Sequence, residues 1–140
     1  MTDYKLASRR NFDRQAAQYD TASFGRHARA LYPVLLAQLA QIPHRSVLDV
    51  GCDSFHHYPD PRAALAEIRR VLQPGGVLLL GDTTAPAGLL RAINLLLPLS
   101  RGGDVRLYGP SELTALLEEF FHGAVCRRIH STSLLAWGIK

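Results

Sequence analysis

The stretch that most constrains this chain is a short apolar run that closes on glycine. Val47-Leu48-Asp49-Val50-Gly51-Cys52 has the composition of a buried strand entering a glycine turn, and Asp53-Ser54-Phe55-His56-His57-Tyr58-Pro59 follows at once as a loop. Asp60-Pro61 then opens a helix, with Asp60 as N-cap and Pro61 at the first helical position. Ala64, Leu65, Ile68, Val71 and Leu72 recur at helical spacing, while Arg62, Glu67, Arg69 and Arg70 fill the opposite face. Pro74-Gly75-Gly76 stops that helix. Val77–Leu80 is a continuous apolar run, as in a strand buried on both faces, and Gly81-Asp82-Thr83-Thr84 is its polar exit. Strand, loop, helix, strand is the plan of an open parallel α/β sheet, whose ligands lie beyond the carboxyl ends of the strands.

The flanking segments fill in the plan. Phe12, Ala16 and Tyr19 predict a short helix over 11–19. Ala28, Leu31, Tyr32, Leu35, Leu36, Leu39 and Ala40 predict an amphipathic helix over 26–41, with Pro33 marking its first turn. Residues 87–97 read as an apolar helix and 98–109 as a loop with Arg101-Gly102-Gly103-Asp104 at its flexible part. Pro110-Ser111-Glu112 starts another helix, capped by Ser111, with Leu113, Leu116, Leu117 and Phe120 packing inward. Residues 124–128 and 133–139 read as an antiparallel hairpin.

Composition excludes several function classes. A chain of 140 residues suggests one domain, with helices over 1–45 and a sheet core over 46–140. The net charge of +4 is dispersed as arginine pairs, without the aromatic-basic interleaving of a nucleic-acid binder. Two cysteines make no disulfide framework, and Cys126 falls in a strand as buried structure. With no leader pattern, a cytoplasmic location is expected. The most apolar stretch, 87–99, is too short to span a bilayer. No Gly-x-Ser-x-Gly elbow for a hydrolase is present.

Two motifs carry a resemblance. VLDVGC resembles the opening of the nucleotide motif of class I S-adenosylmethionine (SAM) dependent methyltransferases, and DSFHHYPDPRAALAEIRRVLQPGGVLLLGD resembles that family's segment from the end of the fourth strand to the end of the fifth. The likeness is to small-molecule methyltransferases of the ubiquinone/menaquinone-biosynthesis type. Phe12-Asp13 and Tyr19-Asp20 resemble the group's N-terminal segment, which folds over the SAM pocket. In the family the two main motifs stand roughly two βαβ steps apart, about 30 residues each; here they adjoin, as though the chain carried an internal deletion after Cys52.

The resemblance implies a truncated Rossmann-like fold. About four strands are expected, in the spatial order 47–50, 77–81, 133–139, 124–128, with helices on both faces and a C-terminal antiparallel hairpin. Strand 47–50 and the helix 60–72 would form a right-handed βαβ unit with 77–81. The resemblance also implies that Tyr19, Asp49, Gly51 and Ser54 lie on the cofactor side, and His56, His57 and Tyr58 on the catalytic, acceptor side. Asp49 has a second reading, as a cap for the backbone N–H groups of the following turn. For the two histidines a general base and plain loop packing both stand. A metal site is not expected, because adjacent histidines rarely chelate one ion and no third ligand sits at metal spacing.

SAM is the implied cofactor, and its binding is expected to be weak or lost. The glycines that let backbone approach the ligand do not continue after Cys52, and the acid that binds the ribose has no counterpart. The expected function is that of a methyltransferase-like protein acting on a small molecule. Its alternative is a non-catalytic remnant that pairs, as a homodimer or with another chain, through strand 47–50 as an exposed edge.

Overall fold

A computed structural model describes residues 4–18, 26–50, 54–99 and 103–140. Five helices are described: α1 (Tyr4–Gln15), α2 (Arg26–Leu39), α3 (Pro61–Val71), α4 (Leu90–Leu96) and α5 (Pro110–Glu118). Single 3-10 turns cover Ala16–Gln18, Phe55–His57 and Leu97–Leu99. The strands are β1 (Val77–Thr83), β2 (His122–His130) and β3 (Ser133–Ile139). They form one sheet in the order β1-β3-β2, antiparallel throughout.

The central strand β3 is sealed on both sides. Its register pairs Leu80 with Ala136 and Asp82 with Leu134 on one side, and Cys126 with Ala136 on the other. Directly paired residues share a face of the sheet. Leu78, Leu80 and Asp82 therefore lie with Leu134, Ala136 and Gly138 on one face, and Leu79, Gly81 and Thr83 with Leu135 and Trp137 on the other. The first face carries the main core: Leu65 of α3, Leu113, Leu116 and Leu117 of α5, and Phe55, Tyr108 and Phe121 from the connections. Helix α2 covers the second face. There a Cβ on Gly81 would come within 2.7 Å of the Leu31 and Leu35 side chains, so the helix sits directly on the strand backbone. Gly138 does the same on the first face, where a Cβ would meet Phe121 Cβ at 2.6 Å. The β2–β3 hairpin and the helices on both faces agree with the sequence expectations.

The expected strand 47–50 is not formed. Among the described residues the segment 46–50 pairs with no strand, and Val47, Leu48 and Val50 are 58%, 70% and 51% exposed. The sheet thus has three strands instead of four, and the expected parallel βαβ pairing with 77–81 is absent. Four residues interrupted by Asp49 bring little apolar area, and extended backbone without a ladder gains nothing over hydration. Helix α2 starts where the sequence places it, but two local signals read differently. Helix α2 begins at Arg26, so Pro33 lies inside it and not in its first turn; packing of Leu31 and Leu35 on β1 offsets the backbone bond that proline removes. Helix α5 is preceded by Gly109 as N-cap with Pro110 at the first position, so Ser111 is already helical and caps nothing.

Helix α3 follows its sequence signals closely. Asp60 accepts a hydrogen bond from the Ala63 backbone N–H at 3.0 Å, and Pro61 follows in the first turn. At the other end Lys140 Nζ donates to Leu72 O at 2.7 Å, placing a cation on the exposed carbonyls of the helix terminus. Lys140 N–H also donates to Gly76 O at 2.9 Å, tying the end of β3 to the turn before β1.

Candidate functional site

The site lies where β1 leaves the sheet. By strict alternation from Leu78 and Leu80, Asp82 must point into the main core, and it is fully buried there. An ionised carboxylate in such a place requires a partner. The partner is His56, itself buried, whose Nδ1–H donates to Asp82 Oδ1 at 2.6 Å. That bond fixes the tautomer and leaves Nε2 as the nitrogen with a lone pair.

Local structure delivers His56 to this position. The 3-10 turn Phe55–His57 is closed by the His57 N–H donating to Ser54 O at 3.0 Å. Phe55 anchors it in the core, edge-on to Tyr58 at 5.8 Å and tilted against Tyr108 at 5.6 Å. The loop after α4 then clamps it from outside. The Val105 and Arg106 N–H groups both donate to His56 O, at 2.9 and 3.1 Å. Thr84, just beyond β1, donates through Oγ1 to Tyr108 O at 2.6 Å and holds the far end of the same loop.

The clamp brings a third group to the histidines. Asp104 Oδ1 lies 3.7 Å from His56 Nε2 and 3.4 Å from His57 Nδ1. His57 Nδ1–H also faces Gly103 O at 3.1 Å, and Gly103 takes a φ of +89°, a conformation that glycine reaches without strain. The two imidazoles are 4.1 Å apart between centroids and tilted by 43°. Burial, and then the neighbouring His56, push the His57 pKa below the usual histidine value of 6.5, against the Gly103 carbonyl, Asp104 and Asp82, which raise it.

A pH dependence follows. Folding depresses the affinity of His57 for its proton, so the unfolded chain binds that proton more readily. The stability contributed by His57 is therefore complete above pH 6.5 and declines as pH falls from 6.5 towards the folded value. Denaturant unfolding from about pH 7.5 down to about pH 5 should show a smaller loss for His57→Gln than for the parent chain. Equal slopes would contradict it.

The other sequence candidates fall in different places. Tyr58 is half-buried and donates through its hydroxyl to Val50 O at 3.3 Å, beside the histidine cluster and not within it. It lines an open cleft of about 460 Å³ together with Arg62, Arg106, Tyr108, Glu112 and Glu119. Arg62 forms a two-point pair with Glu119 at 2.6 and 2.8 Å across that cleft. Ser54 supplies the carbonyl that closes the histidine turn. Asp49 is exposed, on the segment 46–50 that belongs to no strand. Tyr19 and Gly51 lie outside the described residues.

Asp82 and Asp104 are the members that sequence reading missed. Asp82 had a signal, since it continues the inward alternation of Leu78 and Leu80. Asp104 had none, because only loop closure brings it to the histidines. Cys126 is also inert by position: burial pushes its thiol up to about 11, where almost no thiolate exists at neutral pH.

A family profile described as a methyltransferase domain matches residues 13–80, a span that contains His56, His57, α3 and the first half of β1. Over those residues the chain is similar to a methyltransferase domain. No curated protein and no solved structure matches it. Among the described residues, no helix is long and apolar enough to cross a membrane.

Methyltransferase domains of the matched kind typically use SAM. The acid that would face the methionine end, Asp49, stands on exposed chain. The described cleft is lined instead by the α3 and α5 side chains beneath Tyr58.

Proposed function

We propose that this chain is a methyltransferase-like domain, related to enzymes that act on small molecules, in which the acceptor side is retained and the cofactor side is incomplete. The observation that carries the reading is the contrast between the two halves of one motif. His56 is buried and His57 half-buried, held by Asp82 and the 103–106 loop, whereas Val47, Leu48, Asp49 and Val50 are exposed and outside the sheet. His56, oriented by Asp82, is the group on the acceptor side able to hold or receive a proton. The absence of the ribose-binding acid and of a continuing glycine loop fits a Rossmann-like fold shortened after Cys52.

Two or three missing charge-assisted hydrogen bonds, at about 1.5–3 kcal/mol each, are enough to move a micromolar site to the millimolar range. Calorimetric titration of SAM and of S-adenosylhomocysteine into the purified chain is therefore expected to show no saturation below about 1 mM. Micromolar binding with one site per chain would overturn the incomplete-site reading.

The exposure of Val47, Leu48 and Val50 favours a second reading, a non-catalytic partner module. Those residues form an apolar segment that a strand of another chain, or of a second copy, could complete. Sedimentation equilibrium separates the two: a monomer at high concentration, and no complex with a full-length methyltransferase, would count against pairing.

A further inference from the structure

We propose that His56, His57 and Asp104 bind a divalent first-row transition-metal ion of the zinc type, with Asp82 as the residue that orients His56. This inference does not rest on SAM binding or on methyl transfer. It starts from the convergence of three ligating side chains drawn from two distant parts of the chain. One donor atom from each lies within 4.8 Å of the other two.

The chemistry of each member suits a cation. Metal-bound histidines characteristically donate their second ring N–H to a carboxylate, which fixes the tautomer and raises ligand basicity. His56 has that arrangement: Nδ1–H is held by the buried Asp82, and Nε2 faces Asp104. A cation would lie between His57 Nδ1 and Asp104 Oδ1, now 3.4 Å apart. The ring would then carry its one proton on Nε2, so that it binds the ion as a neutral imidazole. The Gly103 carbonyl, 3.1 Å from the same nitrogen, would then face the ion as a further oxygen donor.

Distances and charge agree with this. Bonds of about 2.0–2.1 Å at tetrahedral angles separate ligand atoms by about 3.3 Å. The observed 3.4 and 3.7 Å contacts to Asp104 are close to that spacing. The two histidine donor atoms lie within 4.8 Å of each other, so closure on an ion draws the rings together, and Asp104, whose side chain is 34% exposed, has room to follow. Two neutral imidazoles with the carboxylates of Asp104 and Asp82 balance a 2+ ion. Imidazole donors select zinc, cobalt or nickel over magnesium and calcium. The exposed side of Asp104 provides the entry path.

Cobalt(II) is the probe, because four-coordinate Co²⁺ absorbs strongly in the visible and zinc displaces it. Titration of CoCl₂ into the tag-free full chain is expected to saturate at one ion per chain, with the band lost on adding zinc. Asp104→Asn and His57→Gln should each weaken cobalt binding at least about 10-fold, with unchanged far-ultraviolet circular dichroism. Asp82→Asn should weaken it roughly 10–100-fold and shift the band, the mark of an outer partner that tunes a ligand. No saturable band up to about 1 mM cobalt, or an affinity that is the same in both His57→Gln and Asp104→Asn as in the parent, would overturn the proposal.

Discussion

Replacing Asp82 by alanine is expected to lower the unfolding free energy by about 3 kcal/mol or more, because it strands His56 in the core. The carboxylate is fully buried, and its bond to His56 Nδ1 is short, 2.6 Å. Without it a ring N–H that has lost its water has no acceptor in place, which costs about 1–3 kcal/mol, and more if the imidazole takes a proton. A cavity at the end of β1 adds to the loss. The partner group matters more than the charge, so Asp82→Asn, whose amide oxygen still accepts from Nδ1–H, should cost much less than Asp82→Ala. Removing both polar partners, as in Asp82→Leu with His56→Phe, should recover part of the alanine loss. Urea unfolding of the series would measure this; equal costs for alanine and asparagine would mean that the pair is not what holds the turn.

Leu117→Ala should have an effect of similar size, about 2–5 kcal/mol. Leu117 is fully buried on α5, among Leu113, Leu116, Leu134 and Phe121. The cost of a large-to-small change depends on whether the surroundings can collapse into the gap. Here one wall is β3, held by strands on both sides, and Phe121 is already in contact with the backbone of Gly138. Neither can advance, so the cavity should persist. Leu95→Ala is the control, since Leu95 is 79% exposed on α4 and its replacement should stay within about 0.5 kcal/mol. A Leu117→Ala loss below about 1 kcal/mol would show that α5 packs more loosely than this geometry implies.

Legibility in the sequence divides by the range of the interactions involved. Helix α3 was readable almost to the residue, because its signals are local: Asp60 and Pro61 start it, and Pro74-Gly75-Gly76 ends it. The hairpin was readable for the same reason, since its two strands are neighbours in the chain and lean on one short turn. The likeness to a methyltransferase domain was readable because its longest motif is this local unit of loop, helix and strand. The segment 47–50 misled because apolar composition states only that a strand is possible. A strand exists when a neighbour offers a ladder, and that neighbour is chosen by the whole fold.

The site shows the same division. His56 and His57 stood out as residues, but the sequence favoured a packed loop over a general base and gave no third ligand. By itself the sequence determined the likeness to a methyltransferase domain, the α3 unit, the hairpin and the identity of the two histidines, all of which depend on residues within a turn or two of one another. Tertiary structure alone decided that Asp82 points at His56 and that Asp104 arrives beside both imidazoles. It also decided that Asp49 is left in solvent. Each of these depends on how separate elements close on one another, through the sheet register and the backbone clamp of Val105 and Arg106 on His56. Such closure is set by the balance of packing against chain entropy over the whole molecule, and no local pattern of residues records it.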